Sequence, residues 1–494
     1  MARLPPAVYT EAQARALDRF AIDEEGIPSY TLMTRAGEAA LRALRSCWPA
    51  TERVLVVCGP GNNGGDGFVL ARMALEQRMK VSAVALTNTA TLQGDARRAC
   101  EDFRAAGGVI VTWSDALVDA ADVIVDAIFG IGLTRTVEGD IARSIRAINH
   151  SPAHILSLDI PSGLATDTGH VLGEAVRAER TIAFLGLKLG FYLGEGPNYT
   201  GVVMCDSLDV PQEAFAAIPP AALRIEEDTL ARTLPRRSRT THKGQQGHVL
   251  LIAGGSGMAG AARLAGEAAL RVGSGLVTVA TCADNAAAIA ANRPELICRA
   301  VGGAAELQPL IERADVVAIG PGLGQDAWSH AMADGVRACD KPMVVDADAL
   351  NLLAHAPRKN SGWILTPHPG EAGRLTGTDA AAVQADRLGA ARRIVDRYGG
   401  VVVLKGAGTL VVDGESPPYI CDRGNPGMAS PGMGDVLTGV IAGVLAQSAD
   451  LASAARTGVL VHAMAGDMAA NRGERGLIAS DLFAYLPTCV NPVR

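Results

Sequence analysis

The chain has 494 residues, 48% of them apolar and 20% charged, a balance that excludes a disordered protein and is too long for one core. A net charge of -7, with no basic cluster longer than PRRSR (Pro235–Arg239), argues against a nucleic-acid surface. Nine cysteines without a CxxC pair suggest neither a zinc site nor a disulfide framework and fit free thiols in a reducing cytosol. The start, MARLPPAVYTEAQARAL, lacks an apolar h-region, and the apolar runs fall far short of the ~20 residues a membrane helix requires. A cytoplasmic protein, forming a homo-oligomer and binding neither membrane nor nucleic acid, is expected.

The N-terminal stretch reads as helical, with Thr10 capping EAQARALDRFA. RVLVVC (Arg53–Cys58) is a strand-length apolar run, followed by a helix expected from about Asp66 to Arg78 and then KVSAVAL (Lys80–Leu86). A helix near Gln93–Ala106 leads to VIVTW, and DVIVDAIFG (Asp122–Gly130) and HILSLDIPSG (His154–Gly163) continue the series. Such alternation implies βαβ units and a parallel sheet covered on both faces. Around Pro211–Arg239 the pattern breaks, with Pro219, Pro220 and Pro235 among alternating charges. It then restarts with HVLLIAGG, a helix from about Met258 to Val272, and GLVTVAT. Further strands are expected at DVVAIG, PMVVDAD, GWILTP and VVVLKG. No residue-level repeat relates the halves. The expected domains are 1–218 and 243–494, with 219–242 holding the linker and the start of the second.

GPGNNGGDG (Gly59–Gly67) follows the first strand and opens a helix. A glycine-rich turn there lets backbone approach a phosphate, although the spacing is not GxGxxG. The paired Asn and the Asp exceed what a tight turn requires. Asp126 and Asp159 end two other strands, and the carboxyl ends of strands form the ligand crevice in open α/β sheets. Asn63, Asp126 and Ser162 would offer amide, carboxylate and hydroxyl oxygens. With one carboxylate among neutral ligands, that set suits a weakly held monovalent cation.

LMTRAG (Leu32–Gly37), GPGNNGGDG, DAIFGIGLTR and LDIPSG resemble the NAD(P)H-hydrate epimerase family across the first domain, a Rossmann-like three-layer α/β fold. The resemblance implies substrate contacts at Asn62, Asn63, Gly64, Gly65 and Asp66, along Gly130, Ile131, Gly132, Leu133, Thr134, Arg135 and Thr136, and at Asp159. It also implies potassium among Asn63, Asp126 and Ser162. The family's LMERAG reads LMTRAG here, so Thr34 departs from it, and Lys188 in FLGLKLGF matches a lysine common in the family.

In NPGMASPGMGDVLTGVIAGVLA (Asn425–Ala446) a glycine-rich loop runs into an apolar helix with one acid, Asp435, in its first turn. Gly432, Met433 and Gly434 would present backbone N–H groups at a helix start, where the dipole favours a phosphoryl group. Asp435 would take the proton of an attacking hydroxyl. A plain glycine-rich cap would account for GxGD alone. At a strand end, Lys405 of KGAGT would hold nucleotide phosphates as a point charge while the glycines admit them. A turn with a surface lysine is the bland reading.

Together with KGQQGHVLLIAGGSGMAGAARLA, GPGLG, VVDADALN and LTPHPGEAGRLTG, these motifs resemble the ADP-dependent NAD(P)H-hydrate dehydratase, whose α/β fold is ribokinase-like. The resemblance implies substrate contacts at Ala261, Gly322, His368 and Asp435. It implies nucleotide contacts at Lys405, Gly406, Ala407, Gly408, Thr409 and Gly434, and Mg²⁺ carried with ADP, which Glu371 would reach through water. The family's GGTGD or GGSGD loop reads PGMGD here: Pro431 removes one N–H and Met433 adds bulk.

The activity implied is repair of NADH or NADPH hydrated across C5–C6. The first domain would interconvert the two C6 epimers, with Asp159 as acid/base. The second would phosphorylate the C6 hydroxyl of the S hydrate from ADP and release AMP and phosphate. The competing reading is a ribokinase-type vitamin or sugar kinase whose N-terminal domain senses a nucleotide or scaffolds partners.

Overall fold

The computed structural model describes residues 3–491 and divides the chain into two units, Met1–Leu223 and Arg224–Arg494. The division falls inside the stretch expected to be a linker, which carries strand Ala222–Arg224 and helix Asp228–Thr233. Ile225 and Leu230 supply the reason: both are buried in the core of the second unit. Among the described residues no helix is long and apolar enough to cross a membrane.

The first unit is built on a sheet ordered Ile110–Val111, Lys80–Ala85, Arg53–Cys58, Val123–Ala127, His154–Leu158, Arg180–Phe184, Val202–Asp206. All its pairings are parallel. Along Arg53–Cys58, Val54, Val56 and Cys58 enter one core and Leu55 and Val57 the other. The period-2 alternation of side chains thus turns one continuous apolar run into a strand buried on both faces. Strand order reverses between Arg53–Cys58 and Val123–Ala127, which opens a crevice at their carboxyl ends.

Thr10 caps helix Glu11–Asp23 in a capping box with Gln13. The chain breaks at Gly26–Pro28 and resumes as helix Ser29–Cys47. The helix expected from Asp66 begins at Asn62, so NNGGD forms its first turn and not a preceding loop. Its glycines serve packing: a Cβ on Gly65 would come within 2.6 Å of Met33 Cε and 3.1 Å of Ala96 Cα.

In the second unit the sheet runs Ile297–Ala300, Leu276–Thr281, His248–Ile252, Val316–Ile319, Met343–Val345, Trp363–Leu365, Val401–Leu404, Thr409–Val412, Tyr419–Cys421. It is parallel through Val401–Leu404 and antiparallel beyond. The reversal lies between His248–Ile252 and Val316–Ile319, where the GGSGMAG and GPGLG loops emerge. Helices Ala259–Arg271 and Met433–Ser448 pack closely, since Gly439 would place a Cβ 2.8 Å from Ala268 Cβ.

Candidate active sites

In the first unit, a cavity of about 650 Å³ lies at the carboxyl ends of the strands. Asn62, Asn63 and Asp66 line it from helix Asn62–Glu76, and Gly130 to Arg135 from the loop after Val123–Ala127. Asp159 and Lys188 complete that side. Gly64 and Gly65 are buried in the helix packing, and Thr136 lies outside the lining. The small size of Gly132 admits Arg15, whose Nη2 would be 2.6 Å from a Cβ there.

Asp159 adopts φ +64°, the left-handed region that a non-glycine residue occupies only when its surroundings enforce it. The enforcing groups are Ile182, whose carbonyl accepts from the Asp159 N–H at 2.8 Å, and Lys188. Lys188 is 1% exposed. Its ammonium donates to Asp159 Oδ1 and, at 2.9 Å, to the Phe184 carbonyl. Burial, and then the Asp159 charge, push Asp18 up to about 6. Burial, Asp159 and Asp18 hold Asp66 well above the usual carboxylate range.

Asp126 and Ser162 are joined beneath this cavity. Ser162 Oγ donates to Asp126 Oδ1 at 2.5 Å, while Ser157 Oγ and the Ser162 N–H donate to Oδ2 at 2.7 and 2.9 Å. Burial raises the Asp126 pKa, and these donors oppose the shift. Asn63 is different: 7% exposed, it has neither its Oδ1 nor its Nδ2 satisfied by protein. A buried amide left unpaired costs about 1–3 kcal/mol, and its free oxygen is a hard donor of the kind a monovalent cation accepts.

In the second unit the centre is Lys405. Its Nζ lies 2.7 Å from Asp346 Oδ1 and 3.7 Å from Glu371 Oε2. Asp346, 1% exposed, also accepts from Thr438 Oγ1 at 2.7 Å. Burial works against the ammonium charge, but Asp346, Glu371 and Asp435 outweigh it and raise the Lys405 pKa. Asp435 is the third residue of helix Met433–Ser448. Burial, then repulsion from Asp346, lifts it to about 7, with Lys405 opposing.

Gly432 caps that helix with φ +88°, a conformation that admits glycine without strain. Met433 turns into the core and is buried, so its bulk does not reach the loop mouth. Helix Leu451–Ala469 holds the loop at both ends. Asp467 accepts from the Gly424 N–H at 3.1 Å and from Asn425 Nδ2 at 3.0 Å. Burial lowers the His462 pKa to about 4, with the Met433 backbone opposing the shift.

The KGAGT turn depends on Gly406 and Gly408 at φ +136° and +62°. Arg387, 3% exposed, donates to the carbonyls of Leu404, Lys405 and Gly408 at 3.3 to 3.4 Å. Thr409 Oγ1 closes the turn on the Gly406 carbonyl at 2.8 Å. Ala261 and Gly322 face each other: with φ +53°, Gly322 would place a Cβ 2.9 Å from that of Ala261. Their small size joins the two loops at the crossover as well as leaving space beside it.

His368 caps helix Pro369–Thr376, its Nδ1 accepting from Gly370 and Glu371 N–H groups at 3.0 and 3.4 Å. The proton therefore sits on Nε2. In return the His368 N–H donates to Glu371 Oε2 at 2.8 Å. Its carboxylate is thus engaged in a capping box beside Lys405.

Sequence reasoning did not assign Asp346, Arg387, His462, Asp467 or Asp18. VVDADALN carried the signal for Asp346, an acid at a strand end. Asp18 and Arg387 are single polar positions on amphipathic helices that look solvent-facing until the neighbouring segments are placed, and His462 and Asp467 lie on a largely apolar helix that reads as core.

Residues 29–190 match the family described as the YjeF-related protein N-terminus, and residues 249–488 match NAD(P)H-hydrate dehydratase. The chain is 46% identical to the bifunctional NAD(P)H-hydrate repair enzyme Nnr of Coxiella burnetii, over 98% of this chain and 99% of that one. It is 43% identical to the Escherichia coli protein of the same name, over 99% and 95%. A ribokinase-like superfamily protein from Enterococcus faecalis V583 superposes with a TM-score of 0.50 at 30% identity, covering 54% of this chain and 95% of that one. The two matched segments in one polypeptide, and relatives aligned along almost its entire length, place the chain in the bifunctional NAD(P)H-hydrate repair enzyme family.

Proposed function

We infer that the chain restores hydrated NADH and NADPH by two activities: residues 1–218 epimerise the R and S hydrates at C6, and residues 243–494 dehydrate the S hydrate at the expense of ADP. The observation that carries the second activity is the position of Asp435. It is a half-buried acid held near 7, in the first turn of a helix whose first N–H groups, at Met433 and Gly434, have no partner within the helix and suit an anion.

Hydroxide is a poor leaving group. Asp435 takes the proton of the C6 hydroxyl as its oxygen attacks the terminal phosphorus of ADP, and AMP departs. The helix-start amides and Lys405, which keeps two ammonium hydrogens beyond the one given to Asp346, stabilise the transferring charge. The nitrogen lone pair then expels phosphate, and loss of the C5 proton regenerates the nicotinamide. Gly406, Ala407, Gly408 and Thr409 receive the nucleotide, with Gly434 beneath its phosphates. Ala261, Gly322 and His368 border the hydrate; Mg²⁺ carried with ADP would be reached by Glu371 through water and would neutralise phosphate charge.

In the first unit, Asn62 to Asp66, Gly130 to Thr136 and Asp159 hold the hydrate, and Asp159 exchanges a proton with it. Asn63, Asp126 and Ser162 would hold potassium, which supplies a fixed positive charge under the site. The kinase alternative is not favoured, because full-length relatives carry the repair name and both halves match. The test is to incubate the protein with mixed NADH hydrates and ADP. Full recovery of NADH absorbance is expected, and no recovery with either ADP or ATP overturns the reading.

A further inference from the structure

Helix Glu11–Asp23 forms one wall of the epimerase cavity. Arg15, Asp18, Arg19 and Ile22 all line it, and their 3-1-3 spacing places them on one helical face. Leu17 and Ala21, on the other face, are in the core. In sequence the charged stripe reads as the solvated side of an amphipathic helix. In the fold it is turned toward the mouth of the cavity: Arg15 and Arg19 stay exposed there, while Asp18 between them is partly buried.

Asp18 is the informative member. Among the described residues no donor hydrogen-bonds its carboxyl. The groups that face it are Arg15 and Arg19 from its own helix and Asp159 and Lys188 from the sheet end. Asp66 faces it from helix Asn62–Glu76. Three carboxyls therefore share one buried ammonium, and Lys188 is committed to Asp159. The neighbouring Asn63, nine-tenths buried with both amide atoms unpartnered, also lines this cavity and marks it as a place built for a polar occupant.

We propose that Asp18 is a second catalytic residue of epimerisation, exchanging a proton with the C6 oxygen of the hydrate while Asp159 makes the complementary exchange, and that Lys188 is the positioning residue that fixes Asp159. The proposal rests on the epimerase reading of the first unit. An epimerase that removes and replaces a group on one carbon needs an acid and a base in opposite states at the same moment. Two carboxyls on different walls, only one of them paired with the ammonium, meet that need.

The step balances as follows. The carboxyl proton of Asp18 passes to the C6 hydroxyl oxygen as the ring nitrogen lone pair forms a C6=N π bond and the C6–O bond breaks. Water, an iminium and the Asp18 carboxylate result. A water on the other face then bonds C6, the π pair returns to nitrogen, and Asp159 takes the water's proton. The reverse epimerisation runs with the roles exchanged, so nothing is consumed. Burial and Asp159 keep Asp18 near 6, close enough to neutrality for it to serve in either direction.

The test uses the full chain and R hydrate without nucleotide, with ADP-dependent loss of pure S hydrate as a check on each preparation. Asp18→Asn is expected to lower the epimerisation kcat by on the order of 10², with KM little changed. It also removes the wild-type fall in kcat/KM as pH rises through about 6, and Asp18→Glu restores part of the rate. Lys188→Met is expected to slow epimerisation and displace its pH profile, and Lys188→Arg to bring the profile back. Wild-type epimerisation in ¹⁸O water should place the label on C6. A wild-type rate and profile in Asp18→Asn overturns the role of Asp18, and an unmoved profile in Lys188→Met overturns that of Lys188. Retention of the original C6 oxygen overturns the leaving and re-addition of water. A wild-type protein that does not epimerise at all removes the underlying reading instead, before any variant is compared.

Discussion

Lys405 Nζ lies 2.7 Å from Asp346 Oδ1, and the two members of this buried pair act in opposite directions on the neighbouring Asp435. Asp346 raises the Asp435 pKa and Lys405 lowers it, both acting on a carboxyl already pushed up by burial. The result, about 7, suits a group that must accept a proton near neutral pH.

Asp435→Asn is therefore expected to lower dehydration by on the order of 10²–10⁴ while leaving nucleotide binding nearly intact. The wild-type rate should rise as pH increases through about 7, because only the carboxylate can act as base, and the variant should lose that limb. Stability moves the other way. Between the ordinary Asp value and about 7 the folded protein holds a proton that the unfolded chain releases, so stability falls as pH rises across that window. Above it the full cost is present. Asp435→Asn should thus melt higher than wild type at pH 8, with the difference vanishing at acidic pH. Turnover and melting temperatures across pH check both halves, and near-normal turnover would remove Asp435 from its role.

Arg387 touches no reacting atom, yet its guanidinium spans the Leu404, Lys405 and Gly408 carbonyls. Burial lowers its pKa to about 10, so it stays charged under working conditions. Arg387→Met leaves those carbonyls without their donor and frees the turn. The nucleotide KM should rise roughly tenfold, equivalent to about 1.4 kcal/mol, with a much smaller change in kcat. Steady-state kinetics with ADP varied checks it, and a variant altered only in kcat would contradict the bracing role.

Much of this was legible before any coordinates. The parallel part of each sheet follows from apolar runs alternating with helical patterns, because a strand buried on both faces must be apolar along its buried length, as Val54–Cys58 is. The Thr10 cap was legible because its determinants are local. What was not legible depends on side chains meeting across long separations. Asp346 and Lys405 are 59 positions apart, and nothing local says that the acid of VVDADALN reaches the lysine of KGAGT. Asp467 and His462 sit on a helix that reads as a simple core element, and only its placement against the GMGD loop gives them work. Helix Asn62–Glu76 starts ahead of the expected Asp66 for a related reason: Gly65, which reads as loop, is small so that Met33 and Ala96 can approach.

Epimerisation should depend on a monovalent cation. Asp126 and Ser162 are already satisfied by each other, by Ser157 and by backbone N–H groups, whereas the buried Asn63 oxygen has no partner. Exchanging potassium for a bulky organic cation at constant ionic strength should lower the epimerisation rate and leave dehydration of pure S hydrate untouched. Asn63→Ala should abolish the potassium response. Equal rates in both salts would exclude a cation at this place.

The phosphoryl donor should be ADP, with AMP as the nucleotide product. Two points define the site: the KGAGT turn, braced by Arg387 with Gly406 and Gly408 at positive φ, and the helix start at Gly432, whose loop is tied to Asp467 through Gly424 and Asn425. If the nucleotide is gripped at the first and its terminal phosphate must reach the second, the distance selects the length of the phosphate chain. A diphosphate places its β-phosphorus at the Met433 and Gly434 N–H groups beside Asp435. A triphosphate in the same grip places that phosphorus there with a further phosphate beyond it, crowding the acid and the attacking hydroxyl. Met433, being buried, leaves that crowding to the nucleotide and the hydrate themselves. The measurement is chromatography of products with each nucleotide at matched concentration and S hydrate in excess. AMP formed faster from ADP than ADP from ATP is the expected outcome. The reverse order would mean that the grip lies one phosphate further out, and would leave Asp435 as the base for a different donor.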